Sequence, residues 1–227
     1  MANKSGLVIL SGGLDSTVSL AKLKSELEIK LAITFDYGQK AKINEINSSA
    51  KISNFYGIKH QIIELPWLQK ITNTALVNKN ESIPEPDISK DTMDAMKAVW
   101  VPNRNGVFLN IAASFCDSME IDYIIFGANK EEAGTFPDNS KEFLNEINKS
   151  LSYSTLKKAE VIAPLIELEK VDIVKLGKEL NIPFNLIMSC YNNIGKHCGR
   201  CESCKRLKNA LEKAGFSEII EKVFNEK

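Results

Sequence analysis

The sequence predicts an α/β protein, a doubly wound parallel sheet of about five strands, with a small cysteine-bearing subregion at its C-terminal end. Three observations predict it. Short apolar runs recur along the chain with helical patterns between them, as a parallel sheet covered on both faces requires. The composition, 44% hydrophobic and 26% charged over 227 residues, is that of a globular chain with ample core. Four of the five cysteines fall between Cys190 and Cys204, beyond the last strand-like run.

The first apolar run, residues 6–10, leads straight into Ser11-Gly12-Gly13 and then a helix over 15–26. Runs at 31–35 and 61–65 continue the sheet, with a helix over 39–56 between them. Helices over 107–119 and 141–151 flank a run at 123–127, and a run at 161–163 precedes a helix over 171–180. The stretch 66–104 breaks the rhythm. It is polar, holds Pro84, Pro86 and Pro102, and has one helical segment near 90–99, so it reads as a lid or substrate loop. After Pro183 the cysteines gather before an amphipathic helix over 202–214. The expected organisation is a nucleotide-binding domain over 1–183 with a subregion over 184–227 packed on it.

Twenty-nine Lys+Arg balance 29 Asp+Glu, so no overall field draws the chain to nucleic acid or anionic lipid. Neither is an expected partner. No apolar run reaches the ~18 residues of a membrane span, and the polar opening lacks a signal-peptide core, so the expected location is the cytoplasm. There, clustered cysteines point to a metal before disulfides. Only Arg104, Arg200 and Arg206 are arginines, which makes a guanidinium fork a reasonable guess for what those positions need.

The segment from Ile9 and Leu10 through Ser11, Gly12, Gly13, Leu14, Asp15, Ser16 and Thr17 is built for an anion. Two glycines allow a tight turn and close approach, and the helix start presents unpaired N–H groups with a positive dipole end. The lysine of a Walker loop and the Gly-x-Gly-x-x-Gly of a dinucleotide site are both absent. Helix capping alone accounts for Asp15 and Ser16 but not for the whole hexad.

Ser11-Gly12-Gly13-Leu14-Asp15-Ser16 resembles the Ser-Gly-Gly-x-Asp-Ser signature of the PP-loop ATP pyrophosphatases, whose fold is of the adenine-nucleotide α-hydrolase, Rossmann-like type. The resemblance implies ATP held at residues 9–17 with Mg²⁺, cleavage to AMP and pyrophosphate, and adenylation of a substrate oxygen. Four further segments narrow it: Phe35-Asp36-Tyr37-Gly38-Gln39-Lys40, Val101-Pro102-Asn103-Arg104-Asn105, Pro164-Leu165-Ile166-Glu167-Leu168-Glu169-Lys170, and Ser189-Cys190-Tyr191 with the later cysteines. Together they resemble the 7-cyano-7-deazaguanine synthases across nearly the whole chain. That family converts 7-carboxy-7-deazaguanine, ammonia and ATP into the nitrile used in queuosine and archaeosine synthesis. The resemblance implies a carbon–nitrogen ligase with Asp15, Ser16, Arg104 and Lys170 as its catalytic groups and no covalent nucleophile. A homodimer is compatible with it.

One segment departs from the pattern. Where the family reads Asp-x-Ser-Gly-Tyr-Pro-Asp-Cys-Arg, this chain keeps Pro137 and Asp138, has Glu132 for the acid and Phe136 for the aromatic, and replaces Cys-Arg by Asn139-Ser140. Asn105, Glu132, Phe136, Pro137 and Asp138 are the expected substrate contacts. The lost Arg leaves open a paralogue that ligates the deazapurine carboxylate to another acceptor, such as a protein amine. A tRNA-modifying PP-loop enzyme would need a catalytic cysteine and a basic tract; only Cys116, read as a core thiol, is near, and no tract is seen.

Cys190, Cys198, Cys201 and Cys204 carry two Cys-x-x-Cys steps and a distant fourth thiol, a pattern open to tetrahedral zinc and to an iron–sulfur cluster. The resemblance implies structural Zn²⁺. A non-enzymatic zinc module would explain these cysteines but leave the Ser-Gly-Gly turn without a purpose. His197 is then surplus, and His60 is expected in core or surface without a partner.

Overall fold

The computed structural model describes residues 4–85, 93–192 and 195–225. Pro86 and the expected helix start near Lys90 lie outside them. Five strands, β1 (Ser5–Ile9), β2 (Glu28–Asp36), β3 (His60–Glu64), β4 (Tyr123–Ile125) and β5 (Glu160–Ile162), form one sheet in the order β3-β2-β1-β4-β5, every pairing parallel. The expected doubly wound sheet is what the chain forms. The order reverses between β1 and β4, so a crevice opens beyond their carboxyl ends, where such sheets take ligands.

Ten α-helices are described: α1 (Leu14–Leu23), α2 (Lys42–Tyr56), α3 (Pro66–Ile71), α4 (Met93–Val99), α5 (Arg104–Met119), α6 (Lys130–Thr135), α7 (Lys141–Ser154), α8 (Lys170–Glu179), α9 (Glu202–Ala214) and α10 (Ser217–Val223). The period-2 geometry of β1 sorts its side chains between two cores. Leu7 and Ile9 face a core completed by Phe108, Leu109 and Ala112 of α5 and Ile147 and Leu151 of α7. Val8 faces the other way, toward Leu20 and Leu23 of α1 and Ile52 of α2.

A third core joins the C-terminal region to the sheet domain. Leu14 and Val18 of α1 and Ile173 and Val174 of α8 pack with Leu207 and Leu211 of α9, Ile219 of α10, and three of the clustered cysteines. The described part of 66–104 is also packed inward: Leu68, Leu76, Val77, Val99 and Val101 are buried in the main core. No helix among the described residues is long and apolar enough to cross a membrane.

Three helices escaped the sequence pattern. Pro66 opens α3 at its first turn, Asn129 caps α6 by accepting from the Glu132 N–H at 3.1 Å, and α10 follows the αL Gly215 that ends α9. β2 also begins three residues earlier than its apolar run, because its first residues are half-exposed.

Candidate active site at the sheet switch point

The turn after β1 is shaped by close approach. Gly12 has φ +78°, and a Cβ there would lie 2.6 Å from Ser48 Oγ and 3.1 Å from the Glu45 carbonyl oxygen. Gly127, just after β4, approaches from the other side: its Cβ would sit 2.8 Å from the Ser16 backbone nitrogen. These two contacts press the turn into the crevice between β1 and β4.

Gly13 is the extended N-cap of α1 and contributes no side-chain bond, so the plain-capping account of Asp15 and Ser16 does not describe this helix. Ser16 Oγ instead donates to Gly13 O (3.3 Å) and sits 3.2 Å from Ser11 Oγ. Thr17 Oγ1 donates to Gly13 O, and neither Thr17 nor Leu14 is among the residues lining the cavity. The first-turn N–H groups of Asp15 and Ser16 have no backbone carbonyl to bond within the helix.

Asp15 Oδ2 receives Lys170 Nζ at 2.6 Å, and Glu132 Oε1 receives the same ammonium at 3.1 Å. Lys170, expected as a solvated or ATP-contacting lysine, is buried at the start of α8. Burial opposes its charge, but Asp15 and Glu132 together hold its pKa above the ordinary lysine value. Burial pushes Asp15 up to about 6, with Lys170 pulling the other way. Glu132 suffers the same burial, yet Lys170 and its hydrogen bonds keep it below the usual range. Asp15 Oδ1 is buried with no hydrogen-bond partner, an orphan acceptor on a residue that lines the cleft.

The turn opens on a cavity of about 220 Å³ lined by Ile9, Leu10, Ser11, Asp15, Thr34 and Phe35, among others. A smaller cavity of about 50 Å³ adjoins it, sharing Arg104, Glu132, Asn139, Tyr191 and Ser203 and adding Phe136, Lys170, Glu202 and Arg206. Arg104 opens α5 after the αL residue Asn103 and donates to Tyr37 Oη at 3.3 Å. Asn105 Nδ2 donates to the Asp138 carbonyl at 3.3 Å, tying α5 to the Phe136–Ser140 segment. Phe136 stacks on Trp100, with centroids 6.4 Å apart.

The departing segment has a local logic. Asn139 lines both cavities, whereas Ser140, standing where the pattern has Arg, caps α7 by accepting from the Phe143 N–H at 3.1 Å. Pro137 is exposed and lines neither cavity.

Sequence reasoning missed Tyr37, Glu45, Tyr191, Glu202 and Arg206, all of which line the cleft. The rarity of arginine was the available signal for Arg206: two of the three arginines face the cleft, and Arg200 lies exposed near Glu85. His60 does have a partner, Thr34 Oγ1 at 2.7 Å from its Nε2. His197 is a brace: it is buried, its Nε2 accepts from the Ser189 N–H at 3.0 Å, and Ser189 Oγ accepts from the Leu14 N–H at 3.3 Å.

Cys190, Cys198, Cys201 and Cys204 bring their sulfurs within 4.8 Å of one another. A tetrahedron with bonds of about 2.3 Å has edges of about 3.8 Å, so the four thiols fit one ion such as zinc. The Asn192, Arg200 and Cys201 N–H groups point at two of the sulfurs, at 3.3–3.4 Å, as thiolate ligands require. Cys116 is buried elsewhere, with its thiol pushed up to about 12 by burial, and is chemically inert.

A parallel sheet with a phosphate-type turn at its switch point defines an α/β fold of the nucleotide-binding type. The fold aligns with an NMN synthetase from Francisella tularensis at a TM-score of 0.51 and 15% identity, over 98% of this chain and 83% of that one. The family is shown by sequence: residues 5–215 match the model of the queuosine biosynthesis protein QueC, and the chain belongs to that family. Two relatives are the 7-cyano-7-deazaguanine synthases of Pelotomaculum thermopropionicum and Carboxydothermus hydrogenoformans. The first is 48% identical, over 92% of this chain and 97% of the relative. The second is 49% identical, over 90% and 96%.

Proposed function

We propose that this chain makes 7-cyano-7-deazaguanine from 7-carboxy-7-deazaguanine and ammonia, spending one ATP on the carboxylate and a second on the amide. One observation carries the reading. The Ser-Gly-Gly-Leu-Asp-Ser turn opens onto a cleft whose far wall presents aromatic, acidic and guanidinium groups, in a chain whose relatives bear that synthase name.

In the first half, a carboxylate oxygen attacks the α-phosphorus of ATP and pyrophosphate leaves. Ammonia then displaces AMP from the acyl adenylate, giving the amide and a proton. In the second half, the amide oxygen is adenylated with loss of pyrophosphate, and departure of AMP and a proton leaves the nitrile. No step needs a covalent nucleophile.

The turn N–H groups and the positive end of α1 hold the β and γ phosphates, and Arg104 shares the charge that grows on the departing pyrophosphate. The orphan Oδ1 of Asp15 fits a Mg²⁺ ion accompanying ATP, which when bound adds charge neutralisation at the phosphates. Lys170 fixes Asp15 and Glu132 in one geometry. Phe136 offers a face for a deazapurine ring, with Asn105 and Asp138 shaping the same wall. The 1–183 and 184–227 division then separates ATP handling from a metal-tied wall, with 66–104 contributing Leu76 and Val99 to the second cavity. Reduced cysteines suit a cytoplasmic enzyme.

Ligation to a protein amine has the altered segment 132–140, with its missing Cys-Arg pair, as its motive. Ser140 serves here as a helix cap, a local role that supports the synthase reading without a second acceptor. Chromatography of the nucleotide products tests the reading: AMP with pyrophosphate is expected, and ADP as the main product overturns it.

A further inference from the structure

We propose that Glu202, at the start of α9, reads the donor edge of the deazaguanine ring, with Arg206 holding it in place. The proposal deepens the synthase reading and rests on it. The substrate has two ends of opposite chemistry. Its carboxylate must face the α-phosphorus, and therefore the turn after β1. The guanidine-like N–H edge lies on the opposite side of the bicycle and must face an acceptor far from that turn.

Four carboxylates line the cleft: Asp15, Glu45, Glu132 and Glu202. Asp15 and Glu132 share Lys170. Glu45 lies at the turn end, where its Oε2 accepts from Gln39 Nε2 at 2.7 Å and its backbone oxygen borders Gly12. Glu202 lines only the smaller cavity, whose wall includes Tyr191 and Phe136 and none of the turn residues Ser11, Gly13, Asp15 and Ser16 that line the larger one. It is the acid placed for the far edge.

Its geometry is set by α9 itself. Arg206, one turn on, donates Nε to Glu202 Oε1 at 3.1 Å, and both side chains are nearly buried, 10% and 13% exposed. Each carboxylate oxygen has two lone pairs, so Glu202 can keep Arg206 and still accept two substrate N–H groups. Arg206 also lies 3.6 Å from Glu131 Oε2, and Glu131 Oε1 accepts from the Lys170 N–H at 2.9 Å. The reader of the ring is thereby braced against the helix start that carries Lys170. Glu202 acts as a specificity residue and Arg206 as a positioning residue.

The test compares 7-carboxy-7-deazaguanine with its analogue lacking the exocyclic 2-amino group, by calorimetric binding and by turnover. The wild-type protein should favour the natural substrate by roughly tenfold or more. In Glu202→Gln the natural substrate should weaken by a similar factor and the preference should collapse, with ATP affinity unchanged. Glu202→Asp, which keeps the charge, should retain the preference, and it serves if the Gln variant fails to fold. Arg206→Lys should raise KM for the organic substrate more than it lowers kcat. A wild-type preference that survives in Glu202→Gln overturns this inference alone. Absence of nitrile from the wild-type protein overturns the synthase reading instead.

Discussion

Lys170 Nζ lies 2.6 Å from Asp15 Oδ2, joining the first turn of α8 to the first turn of α1 across 155 residues of sequence. The pair is nearly buried and extends to Glu132, so one ammonium keeps two carboxylates apart beside the phosphate turn. Removing it with Lys170→Met leaves both acids unneutralised. Loss of one partner from a buried pair costs about 3–5 kcal/mol. Thermal denaturation should show a marked fall in Tm, and ATP cleavage should drop by roughly a hundredfold or more. A variant with wild-type Tm and turnover would show that the pair is incidental.

The acid limb of activity should follow Asp15. With its pKa pushed up to about 6 by burial, it loses charge as pH falls below that value, so ATP cleavage should decline there by about tenfold per unit. For stability the sign is opposite to that of an ordinary ion-paired acid. The folded state binds this proton more tightly than the unfolded chain, so the stabilisation is full below 3.8 and is given up as pH rises to about 6. Asp122 runs the other way. Held near 2, first by the Ser5 N–H and then by Lys157, it stabilises above 3.8 and is lost as pH falls toward 2. In denaturant titrations against pH, Asp122→Asn should show a deficit relative to wild type that opens above pH 4, whereas Asp15→Asn, which strips a partner from the buried Lys170, should be less stable than wild type with a deficit that narrows as pH rises from 3.8 to about 6.

Arg104→Lys keeps a charge but loses the fork that reaches both Tyr37 and the cleft. Folding should persist, and kcat/KM for ATP should fall by about 10²-fold. Near-normal kinetics would reduce Arg104 to a positive charge.

If Cys190, Cys198, Cys201 and Cys204 hold one zinc, elemental analysis should give one zinc per chain, and chelation or Cys201→Ser should lower Tm. Tyr191 and Ser203 are neighbours of these cysteines and line the cleft, so substrate binding should fall with the metal. Iron with inorganic sulfide would contradict the single-ion site.

Ser140→Arg restores the family residue but removes the cap of α7. The expected result is a loss of about 1 kcal/mol with no gain in substrate affinity. Improved affinity would revive the reading in which the segment chose a different acceptor.

Much of this was legible because local physics decided it. β1 and its turn announce themselves through an unbroken apolar run ending in two glycines, and the cysteines through their spacing. The missed helices α3, α6 and α10, at six, six and seven residues, are too short for a 3.6-residue period to register. In the cleft, Ser11, Asp15, Arg104 and Lys170 could be named from their segments. Their pairing could not, because Lys170 meets Asp15 only through the packing of α8 on α1. Glu202 stayed hidden between two cysteines whose metal chemistry accounts for the segment without it.

Mass spectrometry of the products formed from 7-carboxy-7-deazaguanine, ammonium and Mg-ATP tests the central claim most directly. The account predicts 7-cyano-7-deazaguanine, with two AMP and two pyrophosphate per nitrile and no added protein partner. ATP cleavage without nitrile, or nitrile only when a second protein is supplied, would contradict it.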